Sequence, residues 1–295
     1  MSKIERDDVT GTETTGHEWD GIKELNTPLP RWWIMTFYAT IVWALGYTIA
    51  YPAWPMIHSA TSGLLGYSSR ADVANEIAAA KAGQAQWLDK IKAASVADIV
   101  KDPALLEFAR AGGAAAFKVN CVQCHGAGAA GAASYPNLND NDWLWGGTIE
   151  QISQTIANGI RFTANADTHD SQMPNFGSDG ILKPEQISDV ANYAVSLSGG
   201  EANAEAAQRG VQVFTDNCAA CHGDKGGGNK ELGAPNLADQ IWLSGSSADA
   251  VAAQVVKPKH GVMPAWNTRL DDATIKQLAV FVYSLGGGEQ PVATQ

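Results

Sequence analysis

Cysteine is scarce in this chain. There are four among 295 residues, and none lies outside two short pentapeptides. No thiol is left over for a wider disulfide framework. Basic residues are also short: 20 Lys and Arg face 31 Asp and Glu, for a formal net charge of −11. That balance argues against a nucleic-acid partner. A phosphate-binding loop is missing too. Gly226-Gly227-Gly228 lacks the following Lys and Ser or Thr, and reads as slack in the chain. No nucleophile–base pair stands out. Finally, no charged residue occurs between Trp32 and Tyr51.

The four cysteines are Cys121, Cys124, Cys218 and Cys221, and each pair is followed at once by a histidine. Cys121-Val122-Gln123-Cys124-His125 and Cys218-Ala219-Ala220-Cys221-His222 both have the c-type haem attachment pattern. Two intervening residues put the sulfurs about one helical turn apart, to meet the two vinyl groups of one haem. His125 and His222 then become the proximal iron ligands. A redox dithiol needs no following histidine, and a zinc site needs further ligands nearby. Two local disulfides are the plain alternative. Two covalently bound haems c are the expectation.

The charge-free run from Trp32 to Tyr51 has the length of a membrane span. Twenty residues at about 1.5 Å each cover roughly 30 Å of bilayer core. Trp32, Trp33, Tyr51 and Trp54 stand at the two interfaces. A cleaved signal peptide would have a short basic start and a small-residue cleavage site. Here mixed polar sequence precedes the run, and Pro52-Ala53-Trp54-Pro55 follows it. A retained anchor is expected. Lys23 and Arg31 lie before the span, and Arg70 is the first basic residue after it. This bias places the N-terminus in the cytoplasm. Haem c is attached outside the bacterial cytoplasm, which places residues 52–295 in the periplasm of an inner-membrane protein.

Residues 104–295 contain an internal repeat. Gly113, Phe117 and Cys121 recur as Gly210, Phe214 and Cys218. Pro136-Asn137-Leu138 recurs as Pro235-Asn236-Leu237, Trp143 as Trp242, and Met173-Pro174 as Met263-Pro264. Each copy has a helix before its motif and another at its end. The first closing helix has an apolar face through Ile187, Val190, Ala191 and Ala194, the second through Ile275, Leu278, Ala279 and Val282. Asp271 is placed to cap the second.

Met173 and Met263 are the candidate sixth ligands of the irons. Each precedes proline in a loop before a closing helix, and thioether ligation raises the potential. His169 and His260, a few residues upstream, are the rival imidazole ligands. Ligation within each repeat is the default, while an exchange of the two methionines between repeats satisfies the same spacing. With ligands on both faces, an iron has no open position for substrate, which points to electron transfer.

The ordered elements of each copy resemble the class I cytochrome c fold. The resemblance implies that the first and last helices cross at Gly113 and Gly210, with Phe117 and Phe214 packing beside them. It also implies that the Pro136 and Pro235 carbonyls accept hydrogen bonds from His125 and His222. The run from Thr14 to Trp33, TTGHEWDGIKELNTPLPRWW, with the Tyr51–Pro55 exit, is similar to the N-terminal signature of the FixP-type dihaem subunit of cbb3-type cytochrome c oxidases. The order of tail, span and two cytochrome modules matches as well. The resemblance implies an all-α chain with one N-terminal transmembrane helix and two class I cytochrome c domains in tandem. The expected segments are a cytoplasmic tail (1–31), the span (32–51), a periplasmic connector with a helical stretch (52–103), and cytochrome domains at 104–200 and 201–295. It implies partners as well: a donor cytochrome c, a monohaem cytochrome subunit and the haem–copper subunit. The acidic surface suits a basic redox partner, or serves solubility alone. Two other readings are a free-standing membrane-bound dihaem shuttle and a dihaem peroxidase.

Overall fold

The computed structural model describes residues 4–290. The chain divides into two compact units, Met1–Ala82 and Gly83–Gln295.

The first unit opens with a two-stranded antiparallel hairpin, β1 (Thr14–Trp19) and β2 (Ile22–Leu25). The expected all-α chain thus carries a small piece of sheet in its tail. Asp20 (φ +51°) and Gly21 (φ +83°) form the turn. Both central residues have positive φ, which matches the twist of the flanking strands. Thr14 is buried and its hydroxyl accepts from the Glu5 amide, while Lys23 pairs with Glu5.

Helix α1 runs Arg31–Ala50, between Pro30 and Pro52. No residue in it is buried, and Trp43 is 75% exposed. An apolar helix with no buried residue has the character of a membrane span rather than of a core helix. Among the described residues it is the one helix long and apolar enough to cross a bilayer. At its end Gly63 (φ +73°) packs on the backbone, with a virtual Cβ only 2.4 Å from the Ala50 carbonyl oxygen. Leu64 and Leu65 then donate to Ile49 and Ala50, folding the exit back on the helix.

Helix α2 (Ser69–Ala93) covers the stretch that the sequence reads as helical. In the second unit Ile91 is fully buried, and Trp87 stacks on Phe108 at 5.7 Å. Helices α3 (Val96–Lys101) and α4 (Pro103–Asn120) follow. Asp102 caps α4 by accepting from the Ala104 and Leu105 amides, and Pro103 occupies the first turn. Leu105, Ala109, Gly113 and Phe117 recur every four residues and form its buried face. Next come α5 (Val122–His125), α6 (Ile149–Asn158), α7 (Pro184–Leu197), α8 (Ala204–Asn217), α9 (Ala219–His222), α10 (Ala248–Val256) and α11 (Asp272–Tyr283). Asp271 does cap α11, accepting from the Thr274 amide.

The packing does not follow the repeat boundary. Helix α4 packs on α11 and α8 packs on α7, while α6 lies on α11 and α10 on α7. The opening helix of each repeat therefore meets the closing helix of the other. One module, built from α7, α8, α9 and α10, is continuous in sequence. The other joins α3, α4, α5 and α6 to α11, which returns after the continuous module has been completed. Segments 104–200 and 201–295, expected as separate domains, are sequence repeats whose closing helices have changed places.

Two glycines show how close the crossings are. A Cβ on Gly113 would lie 2.1 Å from the Gln277 carbonyl oxygen, and one on Gly210 would lie 2.2 Å from that of Asp189. Beside them Phe117 meets Phe281 and Phe214 meets Tyr193, both at 5.2 Å between ring centroids. The predicted glycine and aromatic roles hold, with the partner helix drawn from the other repeat. Arg209 adds a two-pronged pair to Asp189 at 3.0 and 2.7 Å.

Candidate haem centres

Each Cys-x-x-Cys-His segment is a single helical turn continuing from the helix before it. Cys124 and His125 both donate from their amides to the Cys121 carbonyl, at 3.1 and 3.0 Å, and Cys221 and His222 repeat this on Cys218 at 3.1 and 2.9 Å. All four thiols are free. Burial pushes Cys121 and Cys218 up to about 11, with the neighbouring cysteine adding to the rise. In each motif the first thiol is half-buried and the second exposed.

The histidines are oriented from behind. His125 Nδ1 lies 3.1 Å from the Pro136 carbonyl oxygen, and His222 Nδ1 lies 3.0 Å from that of Pro235. Donation from Nδ1 leaves Nε2 as the ring nitrogen with a lone pair for a metal. Burial lowers both imidazole pKa values, partly opposed by the prolyl carbonyls, and so favours the neutral form.

The turn that presents each proline is tightly built. Gly131 (φ +71°) donates to the His125 carbonyl, and Gly228 (φ +80°) donates to that of His222. Leu138 closes onto the Ala129 carbonyl and Leu237 onto that of Gly226. The glycine run read as slack is instead a hydrogen-bonded turn, and Ala129 accepts a strained φ of +58° where the second repeat has Gly226.

The methionines follow the exchanged helices. Met263 packs in the apolar cluster that holds Phe117, Cys121, Val122 and Leu138. Met173 packs in the cluster that holds Phe214, Cys218, Ala219 and Leu237. Each methionine thus shares a core with the motif of the other repeat. The rival histidines are engaged elsewhere. His169 Nε2 lies 3.2 Å from Thr155 Oγ1, with its ring stacked on Trp145 at 4.3 Å, and His260 Nε2 lies 3.1 Å from the Met173 carbonyl oxygen.

Sequence reasoning did not single out Trp145 or Arg161. Trp145 is 7% exposed, and its Nε1 has no hydrogen-bond partner among the described residues. A buried, unsatisfied donor costs roughly 1–3 kcal/mol, so it marks a place for an acceptor. With the free thiols, the oriented imidazoles and the thioethers in the same cores, the residues present fit haem c.

The fold and the paired motifs define a membrane-anchored protein with two cytochrome c domains. Three family models match: the N-terminal domain of cytochrome oxidase-cbb3, FixP, over residues 11–58; cytochrome c over 111–198; and cytochrome c oxidase, cbb3-type, subunit III, over 205–282. The FixP-type cbb3 oxidase subunit of Rhizobium meliloti (strain 1021) is 59% identical over 96% of this chain and 97% of its own length. That of Bradyrhizobium diazoefficiens is 58% identical over 97% and 98%. The subunit named CcoP from Cereibacter sphaeroides is 51% identical over 94% and 95%. The chain belongs to this family of cbb3-type cytochrome c oxidase subunits.

Proposed function

We propose that this chain is the dihaem electron-relay subunit of a cbb3-type oxidase. Cys121 and Cys124 attach one haem c, with His125 as its proximal ligand, and Cys218, Cys221 and His222 do the same for a second. Met263 completes the first iron site and Met173 the second. Haem c supplies a one-electron ferric/ferrous couple. The chain holds each imidazole through a prolyl carbonyl and packs each motif in an apolar cluster that would surround the group. Thioether ligands raise the potential, as suits electron flow toward oxygen.

The observation that carries this reading is that each motif with a histidine oriented by a prolyl carbonyl has its first cysteine in an apolar cluster with one methionine, Cys121 with Met263 and Cys218 with Met173. With a histidine and a methionine both committed to each iron, neither would keep an open position for peroxide, and the subunit would relay electrons without being itself catalytic. It accepts electrons from a donor cytochrome c and passes them to the monohaem and haem–copper subunits. Its α1 spans the bacterial inner membrane, with the hairpin in the cytoplasm and the haem domains in the periplasm.

Purification of the tagged full-length chain in mild detergent tests the assignment. The expected preparation contains two haems c per chain, haem b and copper, and consumes oxygen with reduced cytochrome c as donor. Copper-free, haem-b-free preparations would favour a free shuttle, and peroxide turnover by the isolated chain would favour a peroxidase. Deletion of residues 14–30 should keep both haems and the membrane location while weakening recovery of the copper-containing subunit, since a bare tether needs no folded hairpin before its span.

A further inference from the structure

We propose that Arg161 is a positioning residue that grips both methionine loops at once and thereby couples the iron ligation of the two haem sites. The inference rests on Met173 and Met263 being the sulfur ligands.

Residues 159–161 form the rung between the two loops. On one edge Ile160 exchanges both backbone hydrogen bonds with Met263, at 2.9 and 3.0 Å. On the other edge the Arg161 amide donates to the His169 carbonyl at 2.6 Å, and the His169 amide donates to Gly159 at 3.3 Å. Gly159 has φ +72°, and a Cβ there would lie 2.3 Å from the Met263 carbonyl oxygen, so the approach requires glycine. The chain running toward Met173 and the chain carrying Met263 are thus zipped to the same three residues.

The Arg161 side chain repeats this pattern. Its Nε donates to the Gly261 carbonyl at 2.8 Å and its Nη1 to the Ser171 carbonyl at 3.0 Å. Each acceptor stands two residues before a methionine, Gly261 before Met263 and Ser171 before Met173. A guanidinium presents several donors in a rigid plane and can serve two carbonyls from one position, whereas a lysine ammonium is a single point charge on a flexible stem. The residue also holds φ +50°, a left-handed conformation that a side chain adopts at a cost. The second repeat has no counterpart: Lys257, Pro258 and Lys259 follow α10 where Gly159, Ile160 and Arg161 follow α6. One cation therefore serves both sites.

The test uses the full-length, detergent-solubilised chain with both haems, as wild type, R161K and R161Q. Each is also prepared with Cys121 and Cys124, or Cys218 and Cys221, changed to Ala, to read one haem at a time. In R161K the sulfur-to-iron charge-transfer band should weaken at both haems. Added imidazole should displace the thioether about tenfold more readily at each, the effect of losing one charged hydrogen bond per loop. R161Q, which also removes the charge, should lower both reduction potentials more than R161K does. A response at one haem only, or altered melting with unchanged band, imidazole affinity and potentials, overturns the proposal. Absence of the sulfur band in the wild type would instead overturn the methionine assignment. If R161Q does not load both haems, R161K decides.

Discussion

A Cβ placed on Gly113 would sit 2.1 Å from the carbonyl oxygen of Gln277, a residue 164 positions further along the chain. The backbone of α4 can approach α11 that closely only because residue 113 has no side chain. Gly112 differs, because a Cβ there would meet the amide end of the Gln277 side chain at 2.6 Å.

Gly113→Leu should therefore destabilise the module of α4 and α11 by about 2 kcal/mol or more. Overpacking costs roughly 1–3 kcal/mol, which exceeds the gain of up to about 1 kcal/mol in helix propensity. Gly112→Ala should cost clearly less, since a side-chain end moves more cheaply than a backbone carbonyl. Thermal melting followed at the haem retained after Cys218 and Cys221 are changed to Ala reads both effects.

The continuous module should survive on its own. A fragment of residues 170–257 contains Met173 and helices α7, α8, α9 and α10, with both partners of the α7–α8 crossing. When matured in the periplasm it should hold one haem c and melt cooperatively. A fragment of residues 104–200 keeps α4 but lacks α11, so it should remain poorly folded. Haem-stained denaturing gels and circular dichroism distinguish these outcomes. A 170–257 fragment that fails to fold would contradict the exchanged packing.

Met263→His should lower the potential of the haem bound at Cys121 and Cys124, and Met173→His that of the haem bound at Cys218 and Cys221. Imidazole favours ferric iron more than thioether does. Redox titration of single-haem variants gives the assignment, and a response in the same-repeat haem would restore ligation within each repeat.

Asp142 carries a pH prediction. Burial, with Asp239 and Asp140 nearby, raises its carboxyl pKa from 3.8 to about 6. The folded state then binds this proton more tightly than the unfolded state does. The stabilising contribution is present at low pH and is lost as pH rises through about 6. Asp142→Asn should raise stability at pH 7.5 by on the order of 1 kcal/mol, since Asp142 is only half-buried and solvent screens it. At pH 3.5 the gain should vanish. Denaturant midpoints at the two pH values measure the difference.

Much of the cofactor chemistry was legible in the sequence because it is local. Five consecutive residues carry two thiols and an imidazole on one helical turn. The prolyl carbonyls sit 11 and 13 residues from their histidines and close turns that glycines make possible. The span is a matter of composition and length. The apolar faces of α7 and α11 follow from their periodicity, and the Asp271 cap from its position. Even the correspondence of Gly113 with Gly210 can be read from spacing. The tail hairpin was less visible, since strands of six and four residues with mixed polarity give little period-two signal.

What the sequence by itself determined was the inventory: one anchor, two haem-binding turns, two methionine loops and four crossing helices. Which opening helix meets which closing helix was decided only in the tertiary structure. Both repeats carry the same glycine and aromatic complement, so either pairing satisfies the local rules. The residues joining α7 to α8, 198–203, are few, and closing so short a connection costs little entropy. Those neighbours pack together, and α4 is left to meet α11, which arrives last. The exchange carries Met173 into the core of the second motif and Met263 into that of the first. It also brings two loops from distant parts of the chain within reach of a single arginine, a placement that no local pattern specifies.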